Sequence, residues 1–331
     1  MNATYIVSIP FGTFDKQYTH QGNLTKHAVK DLKTAYLNRD IDVAKHKSIE
    51  LHVSGTKYFK KWVETALAEY FIRTHRAVPH CMSAILNFYK HTSAITQDYL
   101  LANDLVARNF VFYMNWIITR TEIPSSSSTT EKLFTMLKMD KDDYNLTLLR
   151  KNNFLVSRNL NSITPFITSA DPKEIVLPLS EISVLLSDPA IDKREFKLCY
   201  WMSWLLNYEK VYHKGRLEIP IRQEPGIVAI VGKTNHTILT DWVIIIFHLI
   251  VHYTKTYSPA IKQTIQQLID LYVAMYNGKK KKVEYMLYVA MIRWVLHPNG
   301  FPGVDAELLS DANAYAVTCN YSYSGITVID P

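Results

Sequence analysis

The string Val228-Ala229-Ile230-Val231-Gly232-Lys233-Thr234 comes nearest to catalytic chemistry in this chain. A nucleotide-binding loop requires G-x-x-x-x-G-K-[ST], because its backbone N–H groups must curl around phosphates that the lysine also reaches. Here Gly226 stands six positions before Gly232 instead of five, and the residues between them, Ile227 to Val231, are apolar. Asp241 precedes the next apolar run rather than closing it. We read a strand entering a turn and expect no bound cofactor.

His248 and His252 lie four apart, a spacing that puts both on one face of a helix and suits a transition metal. A metalloprotease helix carries Glu beside its first His, and Leu249 stands there instead. No third ligand can be named, so ordinary surface or core histidines are the preferred reading. His27, His46, His52, His75, His80 and His91 alternate with Lys and Arg and belong to polar helix surfaces. No G-x-S-x-G elbow occurs. Cys81 follows His80 directly, but adjacent residues on a helix do not face one another. Cys81 is read as a small buried residue. Asp142-Asp143 beside Lys141 reads as a solvated face. The sequence therefore offers no catalytic residue.

Binding features are more prominent. Lys279, Lys280, Lys281 and Lys282 form the one dense basic run. The first two follow a helix C-terminus, where cations meet the negative dipole end, but Lys281 and Lys282 open the next helix, where they are unfavourable. That placement raises the case for contact with phosphates or an acidic partner. Aromatic residues form 12% of the chain, with 21 Tyr. Trp116, Trp201 and Trp204 lie on helices with several apolar sides, and such helices are buried in a core or at an interface. Trp116, Trp201, Trp204, Tyr315, Tyr321 and Tyr323 are the interface candidates, because Tyr and Trp anchor protein contacts.

The elements that must position these residues are mainly helical. At 331 residues, 48% hydrophobic and 20% charged, the chain can bury a core and stay soluble. Ten Gly and thirteen Pro suit long helices better than turn-dense sandwiches. Spacings of three and four predict helices from Leu24 to Leu37, from Ile41 to Val53, from Thr56 to Phe71, from Pro79 and from Ile95 to Thr119. Pro124 to Thr130 is a small polar linker. Short helical patterns cover Glu131–Leu137 and Asp142–Leu149. Residues 152–180, with Pro165, Pro172 and Pro178, read as extended surface. Asp188-Pro189 reads as the cap and first turn of an aromatic helix through Trp204. Leu217–Ile221 and Ile227–Val231 form a candidate hairpin. Leu239–Thr254, Pro259–Tyr276 and Lys281–Leu296 are further helices.

The expected fold is thus a multi-helix array or bundle in two parts, with a small hairpin and extended termini. Its expected parts are an arm at 1–22, a helical domain at 23–121 and a Ser/Thr linker at 122–131. A second helical domain at 132–300, with the hairpin near 215–232, and an extended tail at 301–331 complete it.

Cys81, Cys199 and Cys319 are odd in number and widely spaced, which favours a reducing compartment. The N-terminal MNATYIVSIPFGTF has neither a basic start nor a long apolar run, so a secretory leader is not expected. The longest apolar run, Val243 to Val251 interrupted by His248, is far below the roughly 20 residues of a membrane span. The net charge of +7 leaves nucleic acid open as a partner.

Residues 28–75 resemble the helical collar that follows the ATPase domain in clamp-loader-like and recombination-associated AAA+ proteins. The likeness is carried by the Asn38-Arg39-Asp40 turn, a second helix ending in Ser54-Gly55, and the long helix from Phe59 to Phe71. Similar stretches, without an ATPase part, occur in helical proteins of nucleocytoplasmic large DNA viruses. Arg73-Thr74-His75-Arg76 replaces that family's acidic helix end, and no ATP-binding domain is recognisable. The resemblance implies packing and oligomer formation without nucleotide chemistry. The expected function is a non-enzymatic helical interaction protein: a minor capsid protein of a large icosahedral DNA virus, contacting other capsid subunits or itself, in the virion or the infected cytoplasm. The alternative is a DNA-binding replication accessory module.

Overall fold

The computed structural model describes residues 17–73, 78–121, 139, 144, 163–213, 217–222, 236–276, 282–297 and 306–319. These are mainly helical. The chain divides into two compact units, Met1–Ser125 together with Pro302–Pro331, and Ser126–Phe301. The division falls inside the Ser/Thr stretch, but the C-terminal residues return to the first unit.

In the first unit α1 (Thr25–Asn38) buries Ala28, Leu32, Ala35 and Tyr36 on one face. Arg39 ends it with φ of 59°, a left-handed turn, and the Asp40 N–H donates back to the Ala35 carbonyl. Asp40 then caps α2 (Ile41–Val53) by accepting from the Val43 N–H. Gly55, at φ of 108°, turns the chain into α3 (Thr56–Arg73), a conformation costly for any side chain. The Asp98 carboxylate accepts from the Thr56 N–H at 2.7 Å and also from its hydroxyl. After α4 (Val78–Ser93), the single helix expected from Ile95 to Thr119 is two: α5 (Asp98–Asn103) and α6 (Leu105–Arg120). Asp104 breaks them, because its carboxylate caps the Ala107 N–H at 2.7 Å and its backbone is extended.

The extended tail expected at 301–331 is corrected over Ala306–Cys319, which is helix α13. Ala312, Ala316 and Cys319 recur at four and three, and these small residues bring the helix close against α6. The β-branched and aromatic residues among them favoured a strand locally, and this packing outweighed that preference. Residues 17–22, the described end of the expected N-terminal arm, form a turn with one short bridge. Tyr18 bridges Leu24, and Thr19 donates to the buried Glu50 carboxylate at 2.5 Å, as Asn23 does at 2.9 Å. That turn is docked on α2.

In the second unit, α7 (Lys173–Ser187) occupies part of the segment expected to be extended. Pro178 lies inside it, and Ile175, Leu179, Ile182, Leu185 and Leu186 are buried on a helical period. Asp188 follows α7 rather than capping the next helix. That helix, α8 (Arg194–Tyr212), starts after Lys193 at φ of 55°, and the Arg194 guanidinium donates to the terminal carbonyls of Leu185 and Leu186. Ile219 and Arg222 donate to the carbonyls of Thr240 and Leu239, while 227–231, the second strand of the expected hairpin, lies outside the described residues. Then follow α9 (His236–Leu239), α10 (Val243–Tyr253), α11 (Pro259–Met275) and α12 (Lys282–Leu296). The core of this unit joins α7, α8, α10, α11 and α12.

Candidate functional site

Helix α6 is the axis of the first unit and touches α1, α2, α3, α4, α5 and α13. Its inner face carries Asn115, whose Oδ1 accepts from the Tyr36 hydroxyl at 2.6 Å and the Ser48 hydroxyl at 3.1 Å. Trp62 Nε1–H donates to Ser48 Oγ at 2.8 Å. One buried chain of hydrogen bonds thus joins α1, α2, α3 and α6. These groups are committed to holding the helices together.

The outer side of α6 is different. Between α4, α6 and α13 runs an open groove of about 580 Å³. Helix α4 lines it with Ala84, Asn87, Phe88 and His91, and α6 with Val106, Asn109, Phe110 and Tyr113. Both sets follow the spacing i, i+3, i+4, i+7. Helix α13 adds Asn313, Ala316 and Val317. Three helices therefore present the stripes that normally pack against another helix. The floor is aromatic, with Phe88 and Phe110 stacked at 3.8 Å. Asn87, Asn109 and Asn313 give the rim neutral polar groups beside Val106 and Val317, and His91 there lies 2.9 Å from the Asp104 carboxylate. Val317 is 66% exposed and Val106 48%, so large apolar side chains stand at this opening without cover from the described residues.

The groove's wall has little nucleophilic character. Tyr113 Oη lies 3.5 Å from Cys81 Sγ. Burial pushes the Cys81 thiol up, against hydrogen bonds from Tyr113 and Tyr70, and burial together with the neighbouring thiol pushes the Tyr113 hydroxyl up. Neither group readily supplies an anion at neutral pH.

The residues singled out from sequence are scattered. Trp116 and Tyr315 meet each other at 4.7 Å between ring centres, with Arg120 over the indole at 4.8 Å. They seal α6 against α13 within the chain. Trp201 and Trp204 are buried in the core of the second unit, at 0% and 2% exposure, so of the two readings open to them, core or interface, they take the core. His248 and His252 both set their rings edge-on to Phe166, at 5.0 and 5.1 Å. Desolvation and then Lys255 hold His252 below its ordinary pKa. Among the described residues no group of His, Cys, Asp or Glu is arranged to hold a metal ion. Lys282 opens α12, while Lys279, Lys280, Lys281, Tyr321, Tyr323 and the Gly232-Lys233-Thr234 string lie outside the described residues.

Sequence reading missed the groove because its stripes come from helices far apart in the chain, and Ala306–Cys319 was not read as a helix. The spacing of Val106, Asn109, Phe110 and Tyr113 was the available signal. No helix among the described residues is long and apolar enough to cross a membrane. No family model, curated protein or solved structure matches this chain.

Proposed function

We propose that this chain is a non-enzymatic helical interaction protein that seats an amphipathic helix of a partner protein in the groove between α4, α6 and α13. The observation that carries this reading is the convergence of three helical stripes on one open groove, beneath which Phe88 and Phe110 stack. Helix-in-groove recognition uses such a surface, with anchors spaced i, i+3, i+4 and i+7 on the incoming helix. The neutral Asn rim selects a helix whose flanking residues are polar and uncharged rather than strongly acidic or basic. The partner's apolar anchors would cover Val106 and Val317.

Within that class, the minor capsid protein of a large icosahedral DNA virus is the assembly we favour. It is supported by the tyrosine-rich composition and by the resemblance of residues 28–75 to stretches of such viruses' proteins. The experiment is a fractionation of particles and extracts containing either the natural chain or a Val106→Asp/Val317→Asp variant. The natural chain is expected in a multisubunit fraction and the variant as a folded, free chain. A variant that stays in the assembly overturns the groove as the attachment point.

A further inference from the structure

A second surface of the first unit has a different chemistry. The starts of α1 and α3 enclose a groove of about 420 Å³, floored by Leu24, Val29 and Tyr58 and walled by Lys26, Lys57 and Lys61. The basic character continues beyond it. Lys30 and Lys33 follow Lys26 at four and three on the same stripe of α1, and Lys60 follows Lys57 at three on α3, at the edge that also lines a second groove with Thr56 and Tyr89. Of these cations Lys61 pairs with Glu64 at 3.0 Å. Among the described residues, Lys26, Lys30, Lys33 and Lys60 make no ion pair. Asp31, the acid on α1, lies 3.9 Å from Lys47 on α2.

Lys26, Lys30 and Lys33 stand on successive turns of α1, about 5.4 Å apart, a row that suits a partner with a regular series of negative charges. Each nucleic-acid strand carries one charge per about 3.4 Å of its axis. The floor decides between contact with backbone and contact with bases. Tyr58 is only 7% exposed and Lys57 Nζ stands 5.8 Å from its ring centre, so no aromatic face is open to stack a base. We propose that the face formed by Lys26, Lys30, Lys33, Lys57, Lys60 and Lys61 binds the phosphate backbone of duplex nucleic acid without reading its sequence. This site is separate from the α4–α6–α13 groove and does not depend on it.

The test is fluorescence anisotropy of the full chain with a labelled duplex of arbitrary sequence over a series of salt concentrations. Each phosphate contact contributes about 0.9 to the slope of log affinity against log salt. A Lys26→Ala/Lys57→Ala/Lys61→Ala variant should lower that slope by about two to three, with an unchanged helical spectrum. The corresponding triple Lys→Arg variant should keep it. No binding by the natural chain at low salt overturns the proposal. So does an unchanged slope in the alanine variant, or a slope lost instead when Lys279 to Lys282 become Ala. Competition by polyglutamate at charge parity with the duplex also overturns it, by assigning the face to an acidic protein. Equal affinity for duplexes of different sequence is the remaining expected result.

Discussion

The Tyr36 hydroxyl in α1 donates a 2.6 Å hydrogen bond to Asn115 Oδ1 in α6, across 79 positions of the chain. Asn115 is fully buried, and Ser48 shares the same acceptor. A buried amide that serves donors from two other helices fixes their register, because sliding any one of them strands a polar group. Tyr36→Phe should cost roughly 1 kcal/mol, the net value of one hydrogen bond. Asn115→Ala should cost roughly 2–3 kcal/mol, since two donors lose their shared acceptor. Urea denaturation measures both, and an Asn115→Ala variant as stable as the natural chain would show that the network contributes nothing.

Stability should fall on acidification before most carboxylates titrate. Burial pulls His52 down to about 3, although its hydrogen bond to the Leu101 carbonyl opposes this. In the unfolded chain the same ring titrates at about 6.5. Between those values the unfolded state binds the extra proton, so stability drops as pH falls, by about 1.4 kcal/mol per pH unit. Unfolding measured between pH 6 and 5 should show this slope, reduced by one proton in His52→Gln. An unchanged slope in the variant contradicts a buried neutral His52.

Glu50 adds a separate acid-labile contact. Burial alone would raise its carboxyl, but hydrogen bonds from Lys47, Thr19 and Asn23 outweigh that and hold it below its ordinary value. A depressed carboxylate contributes stability above its unfolded pKa, and that contribution is lost as pH falls through the folded value. Glu50→Gln should therefore weaken the chain at neutral pH and flatten its loss of stability below about pH 4.5. Proteolysis at residues 17–24 provides the local readout: cleavage should quicken in the variant at neutral pH. Equal cleavage rates would mean that Glu50 does not hold this turn.

Trp201→Ala and Trp204→Ala should each cost about 3–5 kcal/mol, as truncations of buried aromatic side chains do. Removing residues 306–331 should destabilise the first unit, because Ala312, Ala316 and Tyr315 pack on α6. Thermal unfolding reads both effects. A truncated chain with the natural midpoint would return Ala306–Cys319 to the role of a detachable arm.

The helical class, the Asn38-Arg39-Asp40 turn and the Ser54-Gly55 stop were legible because they are local. Each depends on residues three or four apart or on one backbone angle. The break at Asp104 was also local, yet the apolar period ran through it and concealed the cap. Pro178 misled in the opposite direction, since burial of Ile175, Leu179 and Ile182 holds the helix despite the missing N–H. The groove was not legible because Phe88, Phe110 and Ala316 belong to three helices whose adjacency no local pattern records. Charged positions fared unevenly. Lys279 to Lys282 are contiguous in the chain, whereas Lys26, Lys30 and Lys33 come together only on the face of a helix.

If the α4–α6–α13 groove holds a helix of another protein, that helix lies within reach of Val317. A photoreactive side chain at Val317, with the crosslinked peptide identified by mass spectrometry, reads this occupant. The expected product is a peptide from a different protein with apolar residues at i, i+3 or i+4, and i+7. A synthetic copy of it should bind the natural chain and fail to bind the Val106→Asp variant. A crosslink only to this chain's own residues, or a peptide that binds the variant equally well, would contradict a partner helix in this groove.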